Sequence, residues 1–148
     1  MTRTLFAFSL LLAGPAIAAD GPTIYKRCAA CHLSSGAGVP SAYPPLASDF
    51  RALSATAKGR RYLILAVIKG VAGPIVVDGK NYRGIMPAQS GLDDTAVAAV
   101  LNYVTTGIAK AAKGSKSFTA AEVAAVRASS AGLNAAAVGK LHKSAGGK

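Results

Sequence analysis

The chain has 148 residues, with 17 Lys and Arg against 6 Asp and Glu, a formal net charge of +11, two cysteines, two histidines and no tryptophan. A structural zinc site gathers four Cys or His ligands, and two cysteines with two histidines, one of them the distant His142, do not supply that cluster. The basic excess lacks the stacking aromatics beside Lys and Arg that a nucleic-acid surface uses, and it points instead to an acidic protein partner and salt-sensitive association.

Residues 1–19 precede the fold. Arg3 gives a positive start, Leu5 to Leu12 is an uncharged apolar run, and Ala16-Ile17-Ala18 is a small-x-small cleavage signal. That run is too short to span a bilayer. The later apolar runs are interrupted by Lys, Arg, Asp or Gly, so the expected product is exported, periplasmic and not membrane-spanning. Cleavage removes only Arg3 among the charged residues, leaving a chain of 129 residues with a charge of +10. That length suits one domain and not two.

Asp20 to Arg27 opens a first helix, with Pro22 tolerated in its first turn and Ile24 and Tyr25 facing inward. It runs into Cys28-Ala29-Ala30-Cys31-His32. Two cysteines three positions apart followed at once by histidine is the spacing of c-type haem attachment. The thiols add across the two vinyl groups of the porphyrin, and the adjacent imidazole reaches the iron. A thioredoxin-like dithiol sits after a strand in a βαβ unit, and no strand is expected before Cys28.

Leu33 to Ala47 is a loop, since Gly36 and Gly38 permit positive φ while Pro40, Pro44 and Pro45 suppress helix. A ligating imidazole needs its far N–H held by an acceptor, and a carbonyl of the Pro44-Pro45 turn is the natural one. Leu46 is expected to pack against the porphyrin face.

Arg60 to Lys69 has the apolar spacing of a helix, ended by Gly70. Pro74 to Val77, the turn pair Asp78-Gly79 and Lys80 to Arg83 predict a small hairpin. Met86 follows in the loop Gly84-Ile85-Met86-Pro87-Ala88. It lies 54 residues beyond His32 and is the only methionine outside residues 1–19. A methionine is usually core filler, but a Gly/Pro loop between polar segments is not a core. Met/His is an established axial pair, so Met86 is the expected sixth ligand; His142 is the alternative.

Asp93 or Asp94 caps a helix continuing to about Thr106, with Val97, Val100, Leu101 and Val104 as its buried stripe. This helix is expected to cross the first one, bringing Val100 and Tyr103 to Ile24 or Tyr25 near Gly21. Lys110, Lys113 and Lys116 form a basic linker. Thr119 to Glu122 is a capping box opening a helix to about Ala128, and Asn134 caps another to His142. The end from Lys143 is expected to fray, and the whole tail to lie on the back of the domain, with a docking arm for a partner as the functional alternative.

Cys28 to His32, Tyr43-Pro44-Pro45-Leu46, Gly84 to Ala88 and the stripe from Val97 to Val104 occur in the order found in monohaem class I bacterial cytochromes c, which residues 20–108 resemble. The tail is longer than the minimal fold. The resemblance implies a mainly α class I cytochrome c fold: three or more helices around one covalently bound haem, a small hairpin before the Met loop and a C-terminal helical extension. The chain is thus expected to divide into a signal peptide over 1–19, a cytochrome c domain over 20–109 and a basic, Ala-rich extension over 110–148. By the same resemblance Cys28 and Cys31 carry haem c, His32 and Met86 are the axial iron ligands, and Pro44 and Leu46 support the histidine and pack on the haem. The implied activity is one-electron transfer, as a free carrier or as the cytochrome subunit of a dehydrogenase, nitrite reductase or oxidase. A haem enzyme or ligand sensor is the alternative, and it needs a labile sixth site.

Overall fold

The computed structural model describes residues 20–148, so the leader expected over 1–19 lies outside the described residues. Those residues form six α-helices and one two-stranded hairpin.

Helix α1, Gly21–His32, starts at Asp20, whose carboxylate accepts from the Thr23 N–H at 3.2 Å. The expectation ended this helix at Arg27. It continues through the cysteine motif because Ala29 and Ala30 favour helix, and it stops at Leu33, where φ turns to 64°. Helix α2, Ser48–Ser54, was not foreseen: no side chain caps it, and it is only seven residues long. Its Asp49, Phe50 and Leu53 are buried.

Helix α3, Ala57–Lys69, begins one turn earlier than its apolar pattern suggests, because the Thr56 hydroxyl accepts from the Gly59 N–H at 3.0 Å. Every residue from Tyr62 to Ile68 is buried, with Ile64 and Leu65 fully so. Each such side chain contributes about 2 kcal/mol by leaving water. A helix hydrophobic all round lies in the centre of a fold, and α3 is packed by α2, by α4 (Asp94–Tyr103), by α5 (Ala120–Ala128) and by α6 (Ala135–Ser144).

Strands β1, Ile75–Val77, and β2, Lys80–Tyr82, pair antiparallel with Val77 opposite Lys80. Asp78 and Gly79 both take positive φ, as the expected turn pair requires. The Ser48 hydroxyl donates to the Asp78 carboxylate at 2.7 Å, tying the hairpin to α2.

The Asp93 carboxylate caps α4 by accepting from the Ala96 N–H at 2.7 Å. Helix α4 crosses α1 at Gly21, where a Cβ would come within 2.6 Å of the Ala99 carbonyl oxygen and 2.8 Å of the Tyr103 Cβ. Tyr25 meets Tyr103 with ring centroids 5.4 Å apart, the contact between chain ends expected from the sequence. A π-helical turn, Val104–Ile108, extends α4.

The tail is tied down more firmly than a frayed end would be. Thr119 and Asn134 cap α5 and α6 as expected. Glu122, however, goes to Arg60 of α3, whose guanidinium also donates to the carbonyls of Lys116 and Ser117 and lies 3.8 Å from the Phe118 ring centroid. Beyond α6, the Lys148 N–H donates to Asp49 at 2.6 Å, and its carbonyl accepts from the Asp78 N–H.

Candidate haem site

One apolar cavity lies between the C-terminal end of α1, the loop over 42–46, helices α2 to α4 and the loop carrying Met86. It encloses about 1250 Å³ of empty space, part of it open to solvent. Cys28, Cys31, His32, Pro44, Leu46 and Met86 all line it. The two axial candidates stand 54 residues apart in sequence, and the fold brings them to walls of the same chamber.

Each of these residues is held by its backbone surroundings. Cys28 and Cys31 lie one helical turn apart on α1, half-buried and with free thiols. Burial pushes the Cys28 thiol up, against the lowering effect of Arg27. His32 is buried, and its Nδ1 lies 2.9 Å from the Pro44 carbonyl oxygen. A carbonyl only accepts, so Nδ1 carries the proton and Nε2 keeps its lone pair. Burial also holds the His32 imidazole below its ordinary value, with the Pro44 carbonyl opposing. At neutral pH the ring is therefore uncharged, as a metal-ligating imidazole must be.

The loop that supplies Pro44 is shaped by Gly38. At φ 67°, a Cβ there would run into the Tyr43 carbonyl oxygen and Pro44. The Leu46 N–H donates to the Gly36 carbonyl at 2.8 Å, setting Leu46 on the cavity wall. On another wall, Met86 is half-buried, and its N–H and carbonyl pair with those of Val71 at 2.9 Å each. The Gln89 N–H donates to the Val67 carbonyl at 2.8 Å, so the Met86 loop lies along the end of α3.

A largely apolar chamber with two cysteines, an uncharged imidazole and a thioether on its walls suits a flat apolar macrocycle with a central iron. Among the described residues, no three His, Cys, Asp or Glu side chains converge as a separate metal cluster.

One cluster on the wall escaped the sequence reading. Asp49, Tyr62 and His142 sit together, with His142 Nε2 2.9 Å from Asp49 Oδ2 and its ring 5.2 Å from that of Tyr62. His142, the alternative ligand expected from the sequence, thus lies on the chamber wall with its Nε2 facing the Asp49 carboxylate. Tyr25 is another buried phenol on the wall. Its hydroxyl donates to the Leu33 carbonyl at 2.8 Å, and burial, with Cys28 and Tyr103 nearby, pushes it up to about 12.

A family model for cytochrome c matches residues 18–107. A cytochrome c-552 of Thermus thermophilus is 50% identical over 131 residues, an overlap covering 86% of this chain and 88% of that protein. Another Thermus thermophilus cytochrome c-552 is 47% identical over 112 residues, covering 74% of this chain and 86% of its own length. An overlap of 86% cannot stop at residue 107, so the first likeness runs into the tail.

Proposed function

The chain belongs to the cytochrome c family, a carrier of electrons on covalently bound haem c and its iron, and from that membership we propose an exported, periplasmic one-electron carrier with His32 and Met86 as axial ligands. Cys28 and Cys31 would hold the group by thioether bonds, Pro44 would orient His32 through its carbonyl, and Leu46 would pack on the macrocycle. The observation that carries this reading is the shared chamber: both cysteines, an uncharged imidazole and a backbone-pinned thioether line one apolar space.

When bound, haem supplies a one-electron couple between ferric and ferrous iron. The chain's own residues set its potential and access. The soft Met86 sulfur favours the ferrous state and raises the potential. The apolar walls, Leu46, Leu63, Val100 and Leu101 among them, disfavour the extra positive charge of the ferric state. Were His32 and Met86 both to bind the iron, no position would be left for oxygen or peroxide, and that separates a carrier from a peroxidase or ligand sensor. The +10 charge outside the leader draws in an acidic partner, a dehydrogenase, a reductase or an oxidase, in a fast and salt-sensitive encounter. Among the described residues no helix is long and apolar enough to cross a membrane.

The test is spectroscopic. The ferric holoprotein is expected to show a methionine–iron charge-transfer band and to bind cyanide slowly at neutral pH. Absence of the band, with rapid binding of cyanide or carbon monoxide, transfers the assignment to a haem enzyme or sensor. A pyridine haemochrome spectrum with unsaturated vinyls removes thioether attachment.

A further inference from the structure

We infer that the C-terminal helix α6 positions Met86, acting through residues Val71 and Ala72, with Gly139 as the positioning residue. This rests on Met86 being the sixth ligand, and it gives the tail a function in electron transfer.

The relay is made of backbone. On one side of the 71–72 segment, Val71 exchanges two hydrogen bonds of 2.9 Å with Met86. On the other side, the Ala72 N–H donates to the Ala135 carbonyl in the first turn of α6 at 3.0 Å. Gly139, one turn further along α6, is buried against the Ala72 carbonyl oxygen. A Cβ there would run into that oxygen, with a Val71 methyl next to it. The segment that pairs with Met86 is therefore pressed between the Met86 loop and α6, and α6 sits at this distance only because residue 139 lacks a side chain.

A strut needs a fixed far end. His142 and Asp49 supply it with a buried 2.9 Å pair, and the Lys148 N–H donates to the other Asp49 oxygen at 2.6 Å. Tyr62 of α3 covers the imidazole edge. A shift of α6 at Gly139 is thus not absorbed by the helix swinging away, and it passes to Ala72, Val71 and the Met86 backbone. A sulfur held in place loses little freedom on binding iron, so the bond resists competing ligands. A displaced loop weakens that bond while the haem stays attached at Cys28 and Cys31.

The experiment measures cyanide affinity, the midpoint pH at which the methionine–iron band is lost, and hydrogen exchange at the Met86 amide, all on ferric holoprotein. Gly139→Ala is expected to raise apparent cyanide affinity about tenfold, to lower the midpoint pH and to speed Met86 exchange. Ala135→Gly, which loosens the first turn without a clash, is expected to move all three the same way by about threefold, and it decides the matter if Gly139→Ala does not fold. Val123→Ala, a buried truncation in α5, controls for plain destabilisation; it is expected to lower the unfolding midpoint and leave cyanide affinity unchanged. The inference is overturned if both α6 variants match wild type, or if Val123→Ala shifts cyanide affinity as far as they do. A wild type without the band removes Met86 as ligand, and the strut falls with it.

Discussion

Arg60 is 4% exposed, and its ion pair with Glu122 joins the tail to the central helix, which makes Glu122→Gln an informative perturbation. The guanidinium donates to both Glu122 oxygens, to the carbonyls of Lys116 and Ser117, and lies over Phe118. Glutamine keeps one acceptor oxygen and removes the charge, so Arg60 stays buried with its neutral partners only. Breaking a fully buried pair costs about 3–5 kcal/mol. The Glu122 side chain is 27% exposed and two carbonyls remain on Arg60, so about 2 kcal/mol is the expected loss, roughly thirtyfold in the folding constant. The pH dependence has a defined sign. The Arg60 hydrogen bond is the main cause holding the Glu122 carboxyl below its ordinary 4.5. A depressed folded-state value means the unfolded chain takes up the proton first, so this stability is fully present above 4.5 and is lost as pH falls through the folded value. Denaturant unfolding of wild-type and Glu122→Gln holoprotein, stepped down from neutral pH, is expected to show a constant gap that then narrows below 4.5. A gap under about 0.5 kcal/mol at neutral pH, or one unchanged at the lowest pH where both proteins fold, refutes the reasoning.

Met86→Ala is expected to lower the reduction potential by on the order of 0.2 V while leaving haem attached, and an unchanged potential in a voltammetric titration rules out Met86 as ligand. Gly21→Val is expected to cost about 2 kcal/mol in denaturant unfolding, because its side chain must displace the Ala99 carbonyl or Tyr103 where α1 crosses α4; a cost near zero means the crossing is looser than drawn. The bimolecular electron-transfer rate with an acidic redox protein is expected to fall about tenfold between low and physiological salt, and a flat stopped-flow profile removes electrostatic steering.

The parts of the site legible in the sequence are those whose chemistry is local. Cys28, Cys31 and His32 declare themselves by spacing, and Pro44 by the rigidity of a Pro-Pro turn. Met86 stands out by its Gly/Pro loop, although the structure packs it, half-buried, against the core. Helices α3, α4, α5 and α6 were readable from apolar period and caps, and the hairpin from Asp78-Gly79. Helix α2 was not, because it lacks a side-chain cap and is held by Phe50 and Leu53 packing rather than by its own ends. The pair of Asp49 and His142 was invisible for a different reason: 93 residues separate its members, and neither carries a spacing signal.

That pair also accounts for the expectation that failed. A tail of Lys, Gly and Ser has little apolar surface to bury, so composition alone predicts fraying beyond Lys143. Backbone groups were missing from that estimate. The Lys148 N–H and carbonyl are taken by Asp49 and Asp78, and the His142 imidazole by Asp49, so α2 and the hairpin turn satisfy polar groups that a loose end would leave to water. The dependence runs the other way as well. Tyr62 to Ile68 are buried on all sides of α3, and residues beyond 109 supply part of that cover through α5 and α6. Without them Arg60 loses Glu122, the Lys116 and Ser117 carbonyls and Phe118 together, and the Met86 loop loses the contacts behind Ala72. In this molecule α6 and the loop carrying Met86 press on the same two residues, Val71 and Ala72, so the extension reaches a wall of the cavity through the segment that follows α3.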